Sequence, residues 1–142
     1  MQISTRTRYG LRALLDISLH SSNRPVLLKE IVERQSVSKA YLEQLILSLQ
    51  SAGLIRSIRG KKGGFLLAKP PTEIKMSEVI KTLERSFSFV ECVDHQNICP
   101  RNDHCVAQML WRRVTNLIRK ELENITLDDL IRWEKEKIKH NE

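Results

Sequence analysis

Cys92, Cys99 and Cys105 are the residues best suited to chemistry in this chain of 142 residues. Six and five residues separate them. Their surroundings are polar: Glu91, Asp94, His95, Gln96, Asn97, Arg101, Asn102, Asp103 and His104. Core cysteines sit among apolar neighbours, so a packing role is disfavoured. Thiolates gathered on an aperiodic loop can wrap a soft metal or an iron–sulfur cluster. Pro100 turns that loop and removes a competing amide donor. The spacing is not the two-residue spacing of a zinc knuckle. Nor does it supply the Cys-x-x-Cys pair of a thiol oxidoreductase, so no enzyme is expected. The odd number, in a chain whose N-terminus lacks an apolar leader, speaks against structural disulfides.

A second group of side chains suits nucleic acid. Ser38, Lys39, Tyr41, Glu43 and Gln44 open an amphipathic stretch. Hydroxyls and lysines bind phosphates, a glutamine pairs with adenine, and a carboxylate accepts from cytosine N4. Glu43 is costly near phosphates unless it finds a donor, so it would discriminate between sites rather than add affinity. Downstream, Arg56, Arg59, Gly60, Lys61 and Lys62 cluster around a glycine-rich turn. Arginine beside glycine can enter a narrow minor groove, while lysines neutralise phosphates. That turn lacks the Gly-Lys-Ser/Thr ending of a phosphate loop. Arg6, Arg8 and Arg12 add positive charge to the same half.

The elements that must position these groups can be read from periodicity. Ser4 or Thr5 caps a first helix to about His20, with Tyr9, Leu11, Ala13, Leu14 and Ile17 inward. Gly10 inside it suggests close approach by another helix. A loop leads to a short helix from Leu28 to about Gln35. Ser38 caps the next helix, whose Leu42, Leu45, Ile46 and Leu49 fall at i, i+3, i+4 and i+7. Gly53 stops it. Two helices joined by so short a turn form a helix-turn-helix. Residues 54–59 and 65–68 are strand-like around the glycine turn, which makes the unit winged. Ser77 caps a short helix through about Glu84. Residues 85–104 lose periodicity. A long helix then starts near Asn102 or Asp103, with Leu110, Val114, Leu117, Ile118, Leu122 and Ile125 as its stripe. At ~33 Å it is long for a small monomer to cover and is expected to hold a dimer. Thr126 and Asp129 form a capping box for a last helix, followed by a charged, solvated end at residues 134–137.

The expected fold is therefore mainly α with a small β-wing: a winged helix-turn-helix with a long C-terminal dimerisation helix. Residues 1–84 form the DNA-binding unit, 85–105 the cysteine-bearing sensor loop, and 106–142 the dimerisation and terminal helices. The formal charge of +7 favours an anionic partner. No apolar run approaches membrane-spanning length, so a cytoplasmic protein without a membrane partner is expected.

The stretches "ISTRTRYGLRALLDISLH", "SKAYLEQLILSLQSAGLIRSIRGKKGGFLLAKPP" and "ITLDDL" resemble the Rrf2 family of bacterial winged-helix regulators, particularly its IscR-like members. The Tyr-Leu-Glu-Gln-Leu and Arg-Gly-x-x-Gly-Gly-Phe-x-Leu patterns carry the resemblance. It implies a homodimer on a roughly two-fold symmetric, double-stranded operator, acting as a repressor or an activator. It also implies recognition contacts near Ser38, Tyr41, Glu43 and Gln44, with wing contacts at Arg59 and Gly60. It maps an iron–sulfur cluster, a [2Fe–2S] form ahead of a [4Fe–4S] one, onto Cys92, Cys99 and Cys105. Two features depart from the pattern: the first cysteine gap is one residue longer, and Gln108 stands where a histidine is usual. The signal implied is cluster status, iron, redox or nitric oxide stress. The alternative is a CymR-like regulator of sulfur or cysteine metabolism, controlled by a protein partner or thiol oxidation without a cluster.

Overall fold

In the computed structural model, which describes residues 2–142, seven α-helices frame one two-stranded antiparallel sheet. The first helix, α1 (Thr5–His20), starts where the Ser4 hydroxyl accepts the Thr7 amide at 3.1 Å. It lies against α2 (Leu28–Gln35) and α3 (Lys39–Ser51). Ser36 takes a left-handed conformation, φ +51°, which turns the chain sharply between α2 and α3. Leu42, Leu45, Ile46 and Leu49 of α3 are all buried, as their spacing requires. Leu14, Ile17, Ile31, Leu49, Leu54 and Val79 meet in one core.

The strands β1 (Ile55–Ile58) and β2 (Gly64–Leu67) pair Ile55 with Leu67 and Ile58 with Gly64. Val26, just before α2, exchanges both backbone hydrogen bonds with Phe65, at 2.9 and 2.8 Å. The hairpin is thereby fixed to the helix-turn-helix rather than merely following it. Gly64 is required at that junction. Its φ is +147°, and a Cβ there would lie 2.6 Å from the Val26 carbonyl oxygen.

Helix α4 (Met76–Leu83) begins one residue before the expected cap at Ser77, with Lys75 at the N-cap. No side-chain cap is used. The Met76 amide instead donates to the Ile125 carbonyl at 2.8 Å, and the Leu127 amide to the Ile74 carbonyl at 2.8 Å. A distant stretch of chain thus supplies what a capping hydroxyl would have done. The aperiodic segment contains one helical turn, α5 (Glu91–Asp94), and a 3₁₀ turn at Asn102–His104. The long helix α6 (Val106–Asn124) starts at Val106, later than expected, because that 3₁₀ turn and Cys105 intervene. Thr126 and Asp129 form the expected capping box of α7 (Leu127–Asn141). The charged end at residues 134–137 lies within this helix, and Lys135, Glu136 and Lys137 are exposed, as a solvated end requires. Leu127 is fully buried in the same core as Leu14 and Ile74, so the C-terminal part packs on the N-terminal body.

Candidate nucleic-acid interface and cysteine segment

One face of α3 is solvent-exposed along Ala40, Glu43, Gln44, Leu47 and Ser51. The spacing is that of a single helical stripe, opposite the buried leucines. Ser38 is the N-cap; its oxygen accepts the Tyr41 amide at 3.2 Å, leaving its hydroxyl proton free to donate. Lys39 and Glu43 lie 3.9 Å apart as an exposed i,i+4 ion pair. At that distance the lysine offsets the charge of Glu43 but donates no hydrogen bond to it, so the carboxylate oxygens stay free to accept.

Tyr41 is held from behind. Its ring meets Tyr9 of α1 edge-on, with centroids 6.2 Å apart, and the Arg12 guanidinium lies 5.1 Å from the Tyr9 centroid. Arg12 Nε donates to Gln35 Oε1 at 2.9 Å, and Arg6 hydrogen-bonds the Ser48 hydroxyl of α3. The basic face of α1 thus runs beside the recognition helix and braces it.

Beneath lies a network the sequence reading missed. Asp16 is 3% exposed and accepts from Arg34 Nε and Nη2 at 2.9 and 2.7 Å and from Gln35 Nε2 at 2.8 Å. The hydrogen bonds and charge of Asp16 raise the pKa of Arg34 against the opposing effect of burial. The available signal was a carboxylate between Leu15 and Ile17, facing inward on an amphipathic helix. At the tip of the hairpin, Arg59, Gly60, Lys61 and Lys62 are all exposed, and Arg56 is exposed on β1. The wing therefore presents the cationic group expected of it.

Cys92 lies in α5, Cys99 in the following turn, and Cys105 at the N-cap of α6. All three are free thiols of intermediate exposure. Helix α6 holds their segment through a polar stripe. Gln108, 3% exposed, donates Nε2 to the Cys92 carbonyl at 3.3 Å. Thr115, fully buried, accepts the Phe89 amide at 3.5 Å, and Phe89 stacks on Trp111 with centroids 6.0 Å apart. Asp94 accepts from Ser88, Ser86 and Arg119 at 2.7, 2.8 and 2.7 Å. The Ser88 hydroxyl, followed by Ser86 and Arg119, holds the Asp94 carboxyl below its ordinary range against the effect of burial.

By donor chemistry the segment fits a thiolate-held group: three free, half-buried sulfurs on one loop, with Asn102 Oδ1 nearby in sequence, buried and unpaired. Among the described residues, no three His, Cys, Asp or Glu side chains are already gathered at metal-binding distance. Closure of the loop would have to bring the sulfurs together. His95 and His104 are exposed, and His20 instead hydrogen-bonds the Asp16 carbonyl on α1. No helix among the described residues is long and apolar enough to cross a membrane.

A family model described as "Rrf2: Iron-dependent Transcriptional regulator" matches residues 3–133. Protein rrf2 of Nitratidesulfovibrio vulgaris is 40% identical over 132 residues, covering 93% of this chain and 88% of that protein. The HTH-type transcriptional regulator IscR of Pectobacterium carotovorum is 40% identical over 131 residues, covering 92% and 79%. Among solved structures, T. potens IscR superposes with a TM-score of 0.79 at 37% identity, covering 96% of this chain and 90% of that one. CymR, the global cysteine regulator of B. subtilis, gives 0.76 at 34% identity, covering 94% and 98%. With fold, wing and recognition-helix pattern in agreement, the chain belongs to the Rrf2 family as an IscR-like transcriptional regulator.

Proposed function

We propose that this protein is a cytoplasmic, homodimeric, non-enzymatic regulator that binds operator DNA and senses iron–sulfur, iron, redox or nitric oxide status through Cys92, Cys99 and Cys105. The observation that carries the reading is continuity: the thiol-bearing segment leads through Cys105 directly into α6 and is strapped along it by Gln108, Thr115 and Arg119. On the DNA side, Ser38, Lys39, Tyr41, Glu43 and Gln44 contact the major groove and its phosphates. Arg59, Gly60, Lys61 and Lys62 of the wing contact the flanking minor groove.

Support for a dimer comes from α6, whose other face is apolar and uncovered: Val106 is 78% exposed, Met109 67%, Leu110 52% and Leu117 62%. A second copy crossing there would set the separation of the two recognition helices, and hence the half-site spacing that can be bound. An iron–sulfur cluster on the three thiolates would supply a group whose charge and integrity respond to oxidants. The chain's own contribution is to hold the loop against α6, so that a change in the loop is felt at the dimer helix.

Anaerobic purification followed by visible absorption and Mössbauer spectroscopy tests the reading. A cluster signal lost on replacing all three cysteines, together with altered operator affinity, is expected. A colourless protein that cannot be reconstituted, with DNA binding unchanged in the triple variant, would sink cluster sensing. Arg59→Ala should lower the salt slope of DNA binding by about one, and Gln44→Ala should relax base choice.

A second reading, a CymR-like regulator acting through a protein partner or thiol oxidation, is favoured by Gln108. Its amide is engaged with the Cys92 carbonyl, and an amide is a poor ligand where a histidine is usual. Stoichiometric co-purification of a protein partner, or DNA binding that changes on oxidation of a metal-free protein, would select it.

A further inference from the structure

The exposed stripe of α3 contains a residue that the polar account of DNA reading leaves unused. Leu47 is 64% exposed, whereas Leu42, Leu45, Ile46 and Leu49 on the same helix are each 3% exposed or less. It makes no contribution to the core, and no neighbour in the chain covers it. Its position is not arbitrary. Leu47 follows Glu43 by four residues and Gln44 by three, so all three project from one face. Ala40 precedes them by the same periodicity and Ser51 follows by four, so Leu47 is the one large apolar side chain in an otherwise polar or small stripe.

In the major groove, base edges offer hydrogen-bond donors, acceptors and a single apolar feature, the C5-methyl group of thymine. We infer that Leu47 is a specificity-determining residue that covers a thymine methyl beside the base pair read by Gln44. The inference rests on the reading of α3 as the recognition helix. The chemistry explains the placement. A leucine in water gains nothing there, but against a methyl group it removes apolar surface from both partners. It also discriminates: cytosine, guanine and adenine present polar or unmethylated edges at the same site. A single methyl group withdrawn from water corresponds to about a fourfold change in affinity.

The test uses the full-length protein and an operator selected by it from a randomised duplex pool. Each thymine is then replaced in turn by deoxyuridine, which removes only the methyl group. The wild type is expected to lose about fourfold in affinity at one thymine per half-site. Leu47→Ser should bind the thymine and uracil duplexes within about twofold of each other at that position, with other positions unaffected. Because the side chain is exposed, the variant should keep the wild-type melting temperature. A wild type indifferent to every uracil replacement, or a Leu47→Ser variant that retains the penalty, overturns the inference. Failure of the underlying reading looks different: no operator is selected at all. Weakened self-association in Leu47→Ser with unchanged DNA discrimination also overturns the inference and assigns the leucine to a protein contact.

Discussion

Gln108 on α6 donates its side-chain amide to the backbone carbonyl of Cys92, so the long helix grips the cysteine segment at the residue that bears its first thiol. A buried donor committed in this way restrains the segment by about 1 kcal/mol. Gln108→Leu keeps the bulk but leaves the carbonyl unpaired. In the metal-free protein, native-state alkylation of Cys92 by iodoacetamide should then accelerate about fivefold, with Cys99 unchanged. Mass spectrometry of the digested protein reads each thiol separately. Equal Cys92 rates in the two proteins would show that the bond does not hold the segment.

Asp16 fixes α2, and through it the turn into the recognition helix. Its carboxylate is buried and receives three nitrogens from Arg34 and Gln35. Removing one partner of a buried pair typically costs 3–5 kcal/mol, and Arg34 keeps a third of its side chain in solvent. Asp16→Ala should therefore cost about 3 kcal/mol in urea unfolding, at the low end of that range. Arg34→Ala should cost no less, because it strands the carboxylate. A loss under about 1 kcal/mol for Asp16→Ala would mean that water replaces the pair.

The contrast between α3 and α6 explains what the sequence could reveal. Around α3, local signals coincide: the Ser38 cap, the apolar residues at i, i+3, i+4 and i+7 and the glycine stop all act within the helix or at its ends. The Thr126–Asp129 box of α7 was legible for the same reason. Along α6, periodicity marked Leu110, Val114, Leu117, Ile118, Leu122 and Ile125 as one stripe, whereas the helix ends at Asn124 and Ile125 is its extended C-cap. The fold divides them. Leu110 and Leu117 face outward, Ile118 and Leu122 are half-buried, and the fully buried positions are Gln108 and Thr115. Those two face a cysteine segment whose path is aperiodic, so no spacing rule could have placed it. The start of α4 at Met76 was hidden likewise, since its first amide is satisfied by Ile125, nearly 50 residues away in sequence. The candidate DNA contacts were legible as residue types on an exposed helix and hairpin. Their bracing by Tyr9, Arg12 and Asp16 was not, because it depends on contacts between helices.

Glu30 sets how the start of α2 responds to acid. It accepts from Arg24 and from the Leu27 amide at 2.9 Å, which forms half of a capping box, since a leucine N-cap offers no side-chain acceptor. The Arg24 hydrogen bond, followed by the Leu27 amide, lowers the Glu30 pKa from 4.5 to about 2. A depressed carboxyl contributes stability that is fully present above its unfolded value and lost as pH falls through the folded one. The contact should thus persist as pH drops past 4.5 and disappear only near 2. Carboxyl-carbon NMR should place the Glu30 midpoint well below 4.5. Arg24→Ala should move it upward, toward the ordinary value. A wild-type midpoint in the ordinary range would rule out the pairing in solution.

At Gly10, α1 packs directly against Leu83 of α4. A Cβ built there would lie 2.6 and 2.7 Å from the two methyl carbons of Leu83, which is only 2% exposed. Two effects oppose each other in Gly10→Ala. Helix propensity favours alanine by about 1 kcal/mol. Forcing a methyl group into a packed contact costs about 1–3 kcal/mol, and the buried Leu83 has little room to rotate away. The packing cost should win, leaving Gly10→Ala destabilised by about 1 kcal/mol in urea or thermal unfolding. Leu83→Ala alone should be more damaging, because it opens a cavity in the core. The double variant decides the cause. If the clash with Leu83 is responsible, removing that side chain releases the helix-propensity gain, and the two changes combine to give a protein more stable than Leu83→Ala alone. Simple additivity of the two losses would instead place the cost of Gly10→Ala in the α1 backbone and not at the α4 contact.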